Sequence, residues 1–395
     1  MKVVVAMDSF KGSIESALAG EAVRRGIKDS CPDANVQVFA ISDGGEGLLA
    51  ALSDPRYGLH QLTLSSSQAQ DAAGQPLVTR YLWDTERKAA FLESAEVVGW
   101  ISLVENGEGG DGLTLRGSSF GLGTQVKGLL DHGARQVDIG LGGTSTTDGG
   151  VGFLLALGAR IWDQSGHQVT NAAGHNPLLD QPSKVELAGA AAALADPGDP
   201  RSVRGLVDVL NPLVGKRGAA RMFAPQKGAS PKQVKELESA MKTWARALDE
   251  VKPGASRVPG AGAAGGIGAV IAALGGTLVK GFDVVAPMIG LEESLSDADL
   301  VVTGEGAYNA QTSLGKAPAS VARLAKKSGA RTTISLVGSI APGTDLPDSG
   351  ERPDALFDQV RAIYPDSVPL AAAMDPDRTF NALREAAAKF VAACE

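Results

Sequence analysis

The chain has 395 residues, with 37 Lys and Arg against 45 Asp and Glu, a formal net charge of −8 and a pI near 5.2, which excludes the global basic field that nucleic-acid binders use. Its 44% hydrophobic and 21% charged content is that of an ordinary soluble protein with two domains or three. Fifty glycines gather in short clusters without a period, which excludes a collagen-like chain and points to turns and ligand loops. Anionic substrates must then be met by local Lys and Arg. Two cysteines, Cys31 and Cys394, make no disulfide framework and point to a reducing, cytoplasmic compartment.

The opening apolar run is too short for a signal peptide. Val3–Ala6 reads as a buried parallel strand. Asp8-Ser9-Phe10-Lys11-Gly12-Ser13 follows at its C-terminal end, the edge at which open α/β sheets place ligands. Glu15–Ile27 has helical spacing. Asn35–Ile41 reads as a second strand ending in Ser42-Asp43-Gly44-Gly45-Glu46-Gly47, so two strand ends carry charged residues in glycine-rich loops. From Gln61 the texture changes: QLTLS, PLVTRYLW and KAAFLE alternate like antiparallel strands, which predicts a second domain starting near residue 67. Ser118–Leu130 reads as a helix.

Val137–Leu157 organises the chain. An apolar strand, Val137–Leu141, runs into a Gly/Ser/Thr/Asp turn and then an apolar helix from Val151. A strand feeding a glycine-rich turn at a helix start is an anion-site pattern, because amide N–H groups point outward there. Gly142, Gly143, Gly149 and Gly150 permit close approach of a phosphate. Thr144, Ser145, Thr146 and Thr147 add hydroxyls, and Asp148 can hold a cation. No GK[ST] ends the segment, so it is not a Walker loop. Leu206–Ser230 is a second dense region: Asp208 and Asn211 sit beside a strand end, and Lys216, Arg217, Arg221 and Lys227 form a local positive cluster suited to phosphate or carboxylate. Ser230 caps a helix with Pro231 at its first position. Gly260–Gly265 satisfies GxGxxG, but no strand precedes it as the dinucleotide fingerprint requires; a glycine-lined helix start packed against another backbone is the reading. Gly260–Val279 has too few large side chains to span a membrane. Asp299–Thr303 is a strand with Gly304-Glu305-Gly306 at its end, Ala317–Lys327 a helix and Thr332–Gly338 a strand. The first and last parts then share one doubly wound sheet.

Seven segments taken in order give the chain a resemblance to the bacterial glycerate kinase family of the first type: DSFKGS (8–13), SDGGEG (42–47), GGTSTTDGG (142–150), DVLNPLVGKRGA (208–219), FAPQKGA (223–229), PGAGAAGGIGA (259–269) and TGEG…QT..GK (303–316). The resemblance implies a doubly wound, Rossmann-like parallel-sheet domain (1–66 and 285–395) interrupted by an inserted α/β domain (67–284). It implies ATP-dependent phosphorylation of D-glycerate with Mg2+ in a cleft between the domains, 2-phosphoglycerate being the favoured product. Its partners are a small hydroxy acid and ATP, with no nucleic acid and no membrane.

On that resemblance Asp8, Lys11, Asp43 and Asp208 are the catalytic candidates. Ser9, Lys11, Asn211 and Asn309 are candidates for the acceptor, Lys11 meeting either the glycerate carboxylate or the transferred phosphoryl. Gly142, Gly143, Thr144, Ser145, Gly149, Gly150 and Lys227 are candidates for the nucleotide, and Asp208 and Glu305 for the metal. Asp8, Asp43, Asp148, Asp208 and Glu305 can each hold Mg2+ or orient a hydroxyl, and sequence does not rank them. The chain departs from the family where Arg and Asp normally follow TGEG and here stand Ala307 and Asn309. That exchange removes a five-donor fork and a carboxylate, and it leaves two alternatives: a kinase of another small hydroxy acid, or a catalytically weak ligand-binding relative.

Overall fold

The computed structural model describes residues 1–10, 12–42, 44–99, 115–194, 201–308, 316–341, 356–364 and 368–393. In chain order the strands are β1 Lys2–Met7, β2 Asn35–Ala40, β3 Leu62–Gln70, β4 Pro76–Asp84, β5 Ala89–Glu93, β6 Gln136–Gly140, β7 Arg160–Asp163, β8 Pro182–Glu186, β9 Ser202–Val207, β10 Thr277–Lys280, β11 Leu300–Tyr308, β12 Thr333–Ile340 and β13 Gln359–Ala362. They divide between two compact units. One is Met1–Asp43, Ala50–Leu59 and Phe282–Glu395; the other is Gly44–Leu49 and His60–Gly281.

The first unit is built on a parallel sheet in the order β13-β12-β11-β1-β2. Val3 to Met7 have no solvent exposure, as expected of a continuous apolar run covered on both faces. The N-terminal strand and the strand beginning at Leu300 are therefore neighbours, paired from Val3↔Leu300 to Met7↔Gly304. The strand order changes direction between β1 and β11, which makes their C-terminal ends a topological switch point. Helices Ser16–Ser30 and Pro376–Ala392 pack together beside this sheet. A Cβ at Gly26 would lie 2.0 Å from the Arg384 carbonyl oxygen, so glycine sets how closely the two helices approach. Gly304–Gly306 does not end its strand as expected. β11 continues to Tyr308 because β12 pairs with it as far as Tyr308↔Ile340.

The second unit holds a mixed six-stranded sheet in the order β10-β9-β6-β5-β4-β3, together with the antiparallel pair β7-β8. β5, β6, β9 and β10 are parallel, and β3, β4 and β5 are antiparallel. The start expected near residue 67 falls inside β3. That strand pairs with β4 along its whole length, from Leu62↔Asp84 to Gln70↔Pro76, so this unit takes in residues from His60. Helix Pro231–Val251 opens with a capping box: Gln233 N–H donates to Ser230 Oγ, and Ser230 N–H donates to Gln233 Oε1. Its apolar stripe of Leu237, Met241, Trp244 and Leu248 enters the core, as spacing of three and four residues dictates.

Candidate functional site

At the switch point of the first unit, Asp8 and Glu305 directly follow the paired residues Met7 and Gly304. The Asp8 N–H donates to the Gly304 carbonyl at 3.0 Å, and the Ser9 N–H donates to Asp8 Oδ1 at 2.7 Å. Asp8 and Ser9 are half-buried. Phe10 and Ile14 are buried and bridge one another, which anchors this strand end ahead of helix Ser16–Ser30. Glu305 is only 4% exposed, and its Oε2 accepts from Lys316 Nζ at 3.1 Å. Lys316 stands at the N-terminal end of helix Ala317–Lys327. Strand and helix thus bring a buried carboxylate and a partly exposed ammonium to the edge where Asp8 sits.

In the second unit, the turn after β6 is interleaved with segment Gly44–Leu49. A Cβ on Gly140 would lie 2.2 Å from the Gly44 carbonyl oxygen, one on Gly142 2.8 Å from Gly45 Cα, and one on Gly143 2.3 Å from Glu46 Oε1. Two glycine-rich loops can approach this closely only without side chains. The end of β5 fastens both. Glu93 Oε1 accepts from the Leu49 N–H at 2.7 Å, and the Gly47 N–H also bonds this carboxylate. Ser94 Oγ lies 2.7 Å from the Gly140 and 2.9 Å from the Gly142 carbonyl oxygens. Burial, with Glu46 and Glu96 nearby, pushes Glu93 up to about 7 against the pull of the two N–H bonds.

The same turn continues inward. Thr144, Ser145, Thr146, Thr147 and Asp148 are all buried. Ser145 Oγ donates to the Val98 carbonyl. Asp148, expected as a possible cation holder, accepts from Ser119 N–H and Oγ at 2.7 Å each, from Gly150 N–H at 3.0 Å and from Gly152 N–H at 3.2 Å. It caps the short helix Val151–Ala156 and ties it to Ser119. Lys227 reaches the loop from the other side, its Nζ 2.6 Å from the Thr146 carbonyl and 3.2 Å from Thr144 Oγ1. Burial pushes this ammonium down to about 7, although Asp148 pulls it up. Gly149 and Gly150 are buried too. A Cβ on Gly149 would meet Trp244 Cδ1 at 2.8 Å, and one on Gly150 would meet Val270 Cγ2 at 2.6 Å, so core packing accounts for both glycines. Gly142 and Gly143 are the half-exposed ones.

The glycine-rich stretch after Pro259 backs both dense loops. The Gly262 N–H donates to the Asn211 carbonyl at 2.8 Å, and the Gly149 N–H to the Gly265 carbonyl at 2.9 Å. A Cβ on Gly265 would lie 2.2 Å from the Thr146 carbonyl oxygen. This is a wedge of backbone against backbone, as its sequence suggests. Asp208 follows β9 and is half-buried, as is Asn211, whose Nδ2 donates to the Arg217 carbonyl at 2.7 Å. Lys216 and Arg217 are exposed beside them.

The family model described as the glycerate kinase family matches residues 3–395. The chain belongs to the glycerate kinase family. It is 34% identical over 342 residues to the glycerate 2-kinase of Escherichia coli K12, covering 86% of each chain. It is 33% identical over 379 residues to the glycerate kinase of Bacillus subtilis 168, covering 95% of this chain and 93% of that one. The crystal structure of a candidate glycerate kinase 2 from Salmonella typhimurium LT2 is similar with a TM-score of 0.74 at 30% identity, over 100% of this chain and 98% of that one.

In this member of the glycerate kinase family, Lys11, Asp43 and Asn309 lie outside the described residues. The structure brings Asp8, Ser9 and Glu305 to one sheet edge. In the other unit it places Gly142, Gly143 and Thr144 after β6, and Asp208 and Asn211 after β9. Ala307 is exposed on β11 opposite Ser339, and its side chain has no donor where the resemblance leads to Arg. Sequence reasoning passed over Glu93, Ser94 and Lys316. The glycine-lysine pair that ends the TGEG motif was a signal for Lys316. Glu93 and Ser94 had one only in ending an apolar strand with two polar residues.

These residues suit the group a kinase requires. Gly142 and Gly143 lie half-exposed on a turn where backbone N–H groups can meet phosphate oxygens. No cluster of three or more metal-ligating side chains occurs among the described residues, and Mg2+ held by one or two carboxylates plus phosphates needs none. Half-buried Asp208 at the end of β9 suits that role, whereas Glu305 is more deeply buried and ion-paired with Lys316. No helix among the described residues is long and apolar enough to cross a membrane.

Proposed function

We propose that this chain transfers a phosphoryl group from ATP to D-glycerate, with 2-phosphoglycerate as the product. The observation that carries the reading is the match of the glycerate kinase family model from residue 3 to residue 395, with the ordered motifs lying at sheet edges and in the loops just described. Mg2+, which Asp208 and Glu305 would hold, would supply neutralisation of the charge that develops during transfer. The chain's residues then have separable roles. Gly142, Gly143 and Thr144 present backbone and hydroxyl to the phosphates. Lys227 holds the loop from within, and Ser145, Gly149 and Gly150 set its shape. Asp208 holds the metal, with Glu305 as the second carboxylate, which would have to release Lys316 to do so. Asp8 accepts a hydrogen bond from the acceptor hydroxyl and orients it, with Ser9, Asn211 and Asn309 as further acceptor contacts. Lys11 neutralises the glycerate carboxylate or the moving phosphoryl, and Asp43 is the remaining catalytic carboxylate. The protein is then a cytoplasmic enzyme acting on a small molecule.

The test is ADP release with D-glycerate and ATP, with the product assigned by 31P NMR. D-glycerate-dependent release giving the 2-phospho isomer is expected, and release that occurs only with other hydroxy acids overturns the assignment. Exposed Ala307, where the family has Arg, is the observation that favours another acceptor, because it removes a carboxylate-binding fork.

A further inference from the structure

We infer that Glu93 is a positioning residue for phosphoryl transfer: its buried carboxylate fixes the loop Gly44–Leu49 against the turn Gly140–Gly143. The inference rests on the proposed kinase reading for its effect on turnover, but the tether can be tested apart from it. Glu93 is the last residue of β5 and is 7% exposed. Its carboxylate takes the Leu49 and Gly47 N–H groups, while Ser94 holds the Gly140 and Gly142 carbonyls. One dipeptide therefore grips both glycine-rich loops. The loops touch at Gly44, Gly45 and Glu46 so closely that no Cβ fits on Gly140, Gly142 or Gly143. A shift of Gly44–Leu49 would thus carry Glu46 across the half-exposed face of Gly142 and Gly143 assigned to the nucleotide.

The charge state of Glu93 matters because an ionised carboxylate accepts N–H bonds about twice as strongly as a neutral group. The charged groups facing it are Glu46 on the loop and Glu96 on helix Ser94–Val98, the latter ion-paired to Arg80 of β4. With burial, they push its titration up to about 7. The loop is then held most firmly above that pH and less firmly below it. Stability has the opposite sign. A carboxyl raised in the fold contributes stability that is present below its unfolded value and lost as pH rises through the folded value near 7.

Glu93→Gln keeps the shape and one acceptor but removes the titration. Hydrogen exchange of the Gly47 and Leu49 amides, corrected for intrinsic rates, is expected to slow in the wild type as pH rises from about 6 to 8. In Glu93→Gln it should be faster by about tenfold at the upper pH and lack that step, with β9 amides unchanged. The kcat/KM of the wild type for glycerate should rise through the same window, and that of the variant should not. A wild type without glycerate activity would sink the kinase reading and leave the exchange result to decide the tether. Should the variant fail to fold, the pH step in the wild-type Leu49 amide decides alone. Equal protection of Leu49 in both proteins, or a wild-type amide with no pH step, overturns the inference. So do parallel pH-rate profiles of two active proteins, which would leave Glu93 a purely structural residue.

Discussion

Glu305 and Lys316 show how a single contact changes the reading of a residue. From sequence Glu305 is a metal candidate; in the fold its Oε2 lies 3.1 Å from Lys316 Nζ, and an ammonium at that distance competes with a cation for the carboxylate. We therefore expect Glu305→Gln to raise the half-saturating Mg2+ concentration only about threefold, because the wild-type carboxylate must first release Lys316 to reach the metal. Asp208→Asn should raise the Mg2+ requirement by tenfold or more, on the order of 1.4 kcal/mol. A metal titration of the two variants checks this, and an unchanged Mg2+ requirement in Glu305→Gln would take Glu305 off the metal. Lys227 carries a second expectation at this scale. A lysine lowered to about 7 in the fold leaves the unfolded chain holding more protons above that pH, so stability should rise with pH from about 7 by up to ~1.4 kcal/mol per unit. Melting curves should show that slope in the wild type and not in Lys227→Met. What sequence conveyed about such residues was position. Asp8 and Glu305 were legible because a strand end with a charged, glycine-flanked motif is a local pattern. The packing of Gly149 on Trp244 and the four bonds to Asp148 join residues far apart in the chain, and no spacing rule reports them.

Among the elements, the legible ones announce themselves through their own residues. β1 is a run of apolar side chains with a ligand motif after it, and helix Pro231–Val251 carries cap, proline and stripe in order. Ser230→Ala should cost about 1 kcal/mol by removing the acceptor for Gln233 N–H. Gly26→Ala should cost more, about 1–3 kcal/mol, because the Arg384 carbonyl occupies the space a methyl needs. Chemical denaturation of the two variants orders them, and a Gly26→Ala variant as stable as wild type would contradict the close helix contact. The less legible elements are those whose extent is fixed by a partner strand. β11 outlasts the Gly304-Glu305-Gly306 motif because β12 continues to pair with it, and β3 belongs with β4 across the position where a boundary was expected.

At the scale of the whole molecule, the sequence predicts one sheet from the two chain ends, and β1 does pair with β11 across almost 300 residues of chain. It does not predict that Gly44–Leu49, between two stretches of the first unit, packs with the second unit. That placement depends on mutual contact between glycines at 44 and 45 and those at 140 and 142, which only the folded chain brings together. Family membership over residues 3–395 supports phosphoryl transfer to glycerate, and Asp8, Glu305 and Lys316 stand together at the switch point. The most direct measurement is the rate of ADP formation by the purified full chain with ATP, Mg2+ and D-glycerate, set against the same mixture with L-glycerate or no acceptor. The account predicts saturable release that requires D-glycerate and one phosphoglycerate product, the 2-phospho isomer, in equal amount to ADP. ADP formation indifferent to D-glycerate, or none at any concentration by a folded, nucleotide-binding protein, would contradict it.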